Sequence, residues 1–340
     1  MKKKYSILGL CRYILLLMLV MILVVACGKG SDKKADNTAN ATKKKIKIVT
    51  TIFPEYDWVR NIIKGQEESF DVSVLMTSGI DLHNFQPTAK DIIEVGSADI
   101  FVYVGGESDA WVNRVLSEAT NKKLKTINLM EVLKSRVKVE EEIEGMEHEE
   151  HEHEEGEEHE EGEYDEHVWL SLKNAEYVCN VLEKEISMLD NANAELYTNN
   201  LSAYLNELKK LDGEYKNMIN SAARKLLLFG DRFPFRYMVD DYGIKYYAAF
   251  KGCSAESEAS FKTIKFLADK LSEEKLPYIM ILENCDGKIA KAIVENSSEK
   301  TAKVETMNSI QSVNNEEIKN GASYLDYMRK NLEVLKKVLN

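Results

Sequence analysis

The stretch at residues 192–220, ANAELYTNNLSAYLNELKKLDGEYKNMIN, puts apolar side chains at Leu196, Leu201, Tyr204, Leu205, Leu208 and Leu211, with no proline and no glycine before Gly213. Spacings of three and four residues sustained over that length predict one long amphipathic helix. What lies on either side of it decides the architecture. Upstream, short β-branched or aromatic runs at 47–52, 72–76, 100–104 and 125–129 alternate with amphipathic segments at 54–65, 88–97 and 111–119. Downstream the alternation resumes, with strands at 227–229, 245–250, 278–283 and 303–306 and helices at 235–242, 260–271, 288–295 and 322–339. Alternation of this kind implies parallel sheets covered on both faces. The expected fold is therefore α/β, with two lobes that each carry a mainly parallel sheet flanked by helices. One long rigid helix over 192–222 joins a lobe at 45–191 to a lobe at 223–340. In open α/β sheets ligands collect beyond the carboxyl ends of the strands, so a cleft between the lobes is the expected site.

The first residues are set apart from this globule. Lys2, Lys3, Lys4 and Arg12 precede an almost wholly apolar run at 13–25, which ends in Val24-Val25-Ala26-Cys27. That order predicts a secretory signal peptide over 1–26, the apolar run being too short to span a bilayer comfortably. The other reading is an anchor that is never cleaved. Residues 27–44 are small and polar without apolar periodicity, as a flexible tether would be. Of the remaining cysteines, Cys11 falls in the signal and leaves Cys179, Cys253 and Cys285, an odd number that cannot all pair in an oxidising compartment.

The net charge of -12 is concentrated in one place. Residues 140–166 hold 17 carboxylates and no Lys or Arg, so the rest of the chain carries +5. Nothing in this distribution suggests a nucleic-acid footprint. Five of the six histidines lie in or beside the same run, at His148, His151, His153, His159 and His167. The first four sit among glutamates with no apolar neighbour to bury, which predicts a disordered loop at about 140–164 and a weak, multivalent sponge for metal ions. A simple solubilising charge run is the alternative. His167 differs, because Val168-Trp169-Leu170 follows at once and holds it against a folded body. The sixth, His83, lies in Gly79-Ile80-Asp81-Leu82-His83 between a strand end and a helix start. Neutral imidazole is the commonest protein ligand for zinc, and Asp165 stands where it could orient the His167 ring.

With these segments the chain resembles the metal-binding lipoproteins of bacterial ABC transporters for zinc and manganese, of the zinc-uptake type. The resemblance rests on the lipobox-like Leu23–Cys27 segment, Gly-x-Asp-x-His at 79–83, Asp-x-His-x-Trp at 165–169, the His-rich acidic insert, the order lobe, helix, lobe, and the closing 324–332 segment. It implies lipidation at Cys27, an extracytoplasmic position on the cell membrane, monomeric action, and delivery of Zn²⁺ to an ABC permease and its ATPase. It also implies that His83 and His167 are two metal ligands. The family normally adds a His or Glu from the start of the first C-lobe helix, and that position falls here on Arg232, whose guanidinium cannot ligate a cation. The candidates that remain are Asp231 beside it, and Cys253 and Glu256 in the loop at 252–258. A thiolate would favour zinc over Mn²⁺, although Cys253 can also be read as a small buried residue. Cys179 and Cys285 are read as core, and Trp58, Trp111 and Trp169 as packing. Manganese or broad divalent-metal binding, and a surface adhesin of the same fold, stay open as alternatives. A zinc hydrolase is disfavoured by the lack of a His-Glu-x-x-His arrangement.

Overall fold

The computed structural model describes residues 44–77, 79–147, 163–253 and 258–340. The signal and tether expectations, with Cys27, therefore lie outside the described residues, as do Glu256 and His148, His151, His153 and His159. Among the described residues no helix is long and apolar enough to cross a membrane.

The N-terminal half runs β1 (Ile46–Thr50), α1 (Phe53–Ile62), β2 (Phe70–Val74), α2 (Ala89–Gly96), β3 (Ile100–Tyr103), α3 (Val112–Ser117), β4 (Lys125–Asn128) and the short α4 (Leu129–Val132). Its strands pair in the order β2-β1-β3-β4, every pair parallel. The helices start where the sequence supplies a cap. Pro54 opens α1 while the Glu55 carboxylate reaches back to the Thr51 and Ile52 N–H groups, and Thr88 caps α2 by accepting from Asp91 N.

After the acidic insert come α5 (Leu172–Leu189) and α6 (Ala194–Ser221). The long predicted helix is α6, whose 28 residues extend for about 42 Å at ~1.5 Å per residue. Its buried stripe is Tyr197, Leu201, Tyr204, Leu208, Leu211, Tyr215 and Ile219, one side chain per turn. Helix α5 is not among the elements expected from sequence, yet its own stripe, Leu172, Ala175, Val178, Cys179, Leu182 and Ile186, packs along α6. Cys179 is a fully buried member of that core, as expected.

The second half repeats the first as β5 (Leu226–Phe233), α7 (Arg236–Tyr242), β6 (Lys245–Lys251), α8 (Phe261–Glu273), β7 (Tyr278–Leu282), α9 (Lys288–Asn296) and β8 (Lys303–Met307), closed by α10 (Asn315–Lys319) and α11 (Tyr324–Leu339). The strand order, β6-β5-β7-β8, is that of the first sheet, again all parallel. The expected two-lobe α/β architecture is borne out. One continuous apolar core runs from Ile48 and Trp58 through Tyr197 and Leu208 to Phe229, Tyr324 and Leu335, so the lobes are fused along the helix layer. Strand β5 is longer than expected because a register shift between Phe229 and Arg232 lets it continue to Phe233. This puts Asp231 and Arg232 on an irregular strand end rather than at a helix start.

Candidate metal centre

Both sheets present their carboxyl ends to a common cleft, and the site is assembled there from four segments, those beyond β2, β3 and β6 and the one past the acidic insert. Beyond β2, Leu82–Asn84 forms a single 3₁₀ turn whose cap is Asp81, the carboxylate accepting from His83 N at 3.0 Å. Beyond β3, Gly105 and Gly106 both take positive φ, and a Cβ on Gly106 would stand 2.2 Å from Glu166 Oε1. That glycine lets the loop press against Glu166 and delivers Ser108, whose Oγ lies 2.7 Å from His83 Nδ1. Past the insert, His167 is fully buried as the cap of the Val168–Leu170 turn. Asp165 Oδ1 lies 2.8 Å from its backbone N and 3.1 Å from its Nδ1.

These partners fix which nitrogens face each other. A carboxylate only accepts, so Asp165 holds the proton of His167 on Nδ1. Ser108 bonds both Glu166 and His83 Nδ1, and its hydroxyl can donate to the first while accepting from the second. In neutral rings both Nε2 atoms then carry lone pairs, and they meet at 3.3 Å. Two bare lone pairs at that separation repel, so the arrangement calls for a cation or proton between them. Burial, with the neighbouring His167 charge and Arg232, holds the His83 pKa down to about 3, against a smaller upward pull from Asp81. Burial also opposes charging of His167, but the Asp165 carboxylate and its hydrogen bond outweigh it and raise that pKa.

The third donor comes from the end of β6. Gly252 allows the close approach, since a Cβ there would lie 2.9 Å from Phe233 O and 3.3 Å from Asp165 Oδ2. Cys253 follows, its Sγ 4.0 Å from His167 Nδ1 and its backbone N donating to Glu140 Oε1 at 2.9 Å. Burial and the Asp165 and Glu140 carboxylates push the thiol pKa far up, so without metal it carries its proton. Donor atoms of His83, His167 and Cys253 all lie within 4.8 Å of one another, the one such group of three or more among the described residues.

The other candidates are placed elsewhere. Asp231 is turned into the second sheet, Oδ1 accepting from Arg232 N at 2.8 Å and Oδ2 from Leu282 N at 2.9 Å, and it does not join the three donors. Both of its oxygens complete the broken ladder of β5. The Arg232 guanidinium pairs with Asp81 across the cleft, Nη2 to Oδ2 at 2.8 Å, while Gln311 donates to the same oxygen at 3.1 Å. Arg232 thus steadies the turn that carries His83. Beside it the cleft opens into a cavity of about 530 Å³ lined in part by Asp81, Arg232, Glu258 and Glu283. Trp169 packs against His167 and donates to Ser309 O at 2.7 Å, while Trp58 and Trp111 pack within the core. Cys285 lies at the edge of the second-sheet core. Glu140 and Glu166 are not singled out by sequence, hidden in a charge run that reads as solvated throughout. The available cue is their position at its edges, next to the apolar Val137, Val139 and Val168.

The chain as a whole is similar to known proteins. The profile of the family described as "ZnuA: Zinc-uptake complex component A periplasmic" matches residues 48–338. The high-affinity zinc uptake system protein ZnuA of Bacillus subtilis is 31% identical over 315 residues, which cover 93% of each chain. Zinc-binding protein AdcA of Streptococcus pyogenes is 31% identical over 296 residues, 86% of this chain but 56% of that protein, so the chain spans just over half the length of such relatives. Among solved structures, the Zn(II)-bound ZnuA-like domain of Streptococcus pneumoniae AdcA superposes with a TM-score of 0.67 at 26% identity, covering 87% of this chain and 99% of that one.

Proposed function

The chain belongs to the ZnuA family of zinc-uptake components, and from that premise we propose that it captures extracytoplasmic Zn²⁺ through His83, His167 and Cys253 and delivers it to an ABC permease and its ATPase. It is a binding component and not an enzyme. The observation that carries the ligand assignment is the pair of Nε2 atoms facing each other at 3.3 Å. Two nitrogens on one tetrahedral zinc, each bound at ~2.0–2.1 Å, stand roughly 3.3 Å apart, so the rings are set for one shared ion before it arrives. A sulfur donor completes a set that suits zinc and is poor for manganese, which prefers oxygen ligands in an octahedral array. Zinc is cargo here, held by three protein donors and a fourth position left to water or to a movable group.

Lipidation at Cys27 would keep this receptor at the outer face of the cell membrane, with residues 28–44 as a tether and a single copy as the working unit. His148, His151, His153 and His159 would supply replaceable ligands that gather metal near the cleft. Competitive titration of the full-length chain tests the reading. Zinc should bind far more tightly than Mn²⁺, and His83→Ala, His167→Ala and Cys253→Ser should each weaken zinc by more than the ~10–100-fold typical of losing an outer partner of a ligand. Equal affinity for the two metals would sink the zinc assignment. Undiminished growth in zinc-poor medium after deletion would favour an adhesin.

A further inference from the structure

Residues 138–147, which include the first part of the acidic run expected to be disordered from about 140, instead form a strap tied at both ends. At its start Lys138 N donates to the Tyr237 hydroxyl at 3.1 Å and Lys138 O accepts from Asp165 N at 2.9 Å, while Glu140 N donates to Glu163 O at 2.7 Å. At its far end Glu147 N donates to Ala249 O at 2.9 Å, and Glu147 Oε2 accepts from Ser260 N at 2.8 Å. The strap therefore lies along the end of β6 and the start of α8. Between these fastenings Glu140 turns inward, its side chain 6% exposed. One oxygen accepts the Cys253 N–H at 2.9 Å and the other lies 4.0 Å from Lys251 Nζ.

The last rung of the β5–β6 ladder is Phe233↔Lys251, so among the described residues no pairing of that ladder holds Gly252 or Cys253. Gly252 has no side chain to anchor it either. We propose that Glu140 is the positioning residue of the site: by gripping the Cys253 N–H from a fixed strap, it sets the direction in which the thiol leaves the loop and keeps Sγ beside His167. Glu140 is not one of the three clustered donors. Its effect passes through Cys253, and the inference rests on the reading of Cys253 as a ligand.

The test uses Co²⁺ in place of zinc on the full-length chain, because a cobalt–thiolate bond gives a near-ultraviolet charge-transfer band. The wild type should show the band and Cys253→Ser should lose it. Glu140→Ala should lose most of it, with zinc affinity falling about 10–100-fold, while Glu140→Gln, which keeps a carbonyl acceptor, should stay within about threefold of wild type. A purely structural strap would lower the melting temperature of Glu140→Ala and leave the band at full strength, which would overturn the proposal. Should the alanine variant fail to fold, Glu140→Asp, whose arm is one methylene too short to reach the N–H, is read in the same way. Absence of the band in the wild type, or its survival in Cys253→Ser, would instead remove Cys253 from the ligand set and this inference with it.

Discussion

Two imidazoles meet nitrogen to nitrogen at the centre of the cleft, and each is fixed by an acidic neighbour, Asp165 behind His167 and Glu166 through Ser108 behind His83. Proton competition follows from this geometry. The His167 pKa is raised and the Cys253 thiol is pushed up further, so below those values both donors hold protons that zinc must displace. Affinity should fall as pH falls, by more than about one decade per pH unit where two protons leave on binding. Titration between pH 8 and pH 6 checks this, and a pH-independent constant would mean that neither group is displaced. At this scale much is legible in the sequence. His83 and His167 stand out because each adjoins an apolar segment at a strand or turn boundary. Asp231 misleads, since its side chain serves the backbone of a bulged strand that no local pattern announces. Asp165 is legible from its place two residues before His167, whereas Glu140 and Glu166 sit in one charge run with exposed neighbours, and only the folded chain separates buried carboxylates from exposed ones.

Among the elements, the long helix is readable because its stripe repeats at three and four residues without interruption. Helix α5 carries an equally regular stripe, but it follows directly on the site motif Asp165–Trp169, and nothing short of the packing on α6 marks where one ends and the other begins. Strand β5 reads short in sequence because Gly230, Asp231 and Arg232 are poor strand formers. Their pairing with β6 resumes only after a register shift. Helix α6 also holds a testable weakness. Gly213 lies in its interior, and a Cβ added there would have nothing within 4 Å. Gly213→Ala should raise stability by about 0.5–1 kcal/mol, since alanine loses less backbone entropy in a helix and meets no clash here. Chemical denaturation measures this, and zinc affinity should be unchanged. A destabilised variant would mean that the helix is strained at that point.

Across the described residues, the repeated strand order gives two similar sheets whose ends face one cleft, and side chains from both sides fasten it. Arg232 reaches Asp81, Trp169 reaches Ser309, and Asn315 Nδ2 donates to Thr77 Oγ1 at 2.9 Å. With one core continuous through both sheets, capture of metal should involve small tilts rather than wide opening. The division of the histidines belongs to this scale too. Replacing His148, His151, His153 and His159 together by Ser should lower the number of weakly bound zinc ions seen by calorimetry and leave the tight ion in place. Loss of the tight ion would show that the insert is part of the site. The central claim, that zinc is held by two imidazoles and one thiolate, is tested most directly by X-ray absorption of the zinc-loaded full-length chain. The account predicts nitrogen scatterers at about 2.0–2.1 Å and one sulfur at about 2.3 Å that disappears in Cys253→Ser; a wild-type spectrum with nitrogen and oxygen neighbours alone would contradict it.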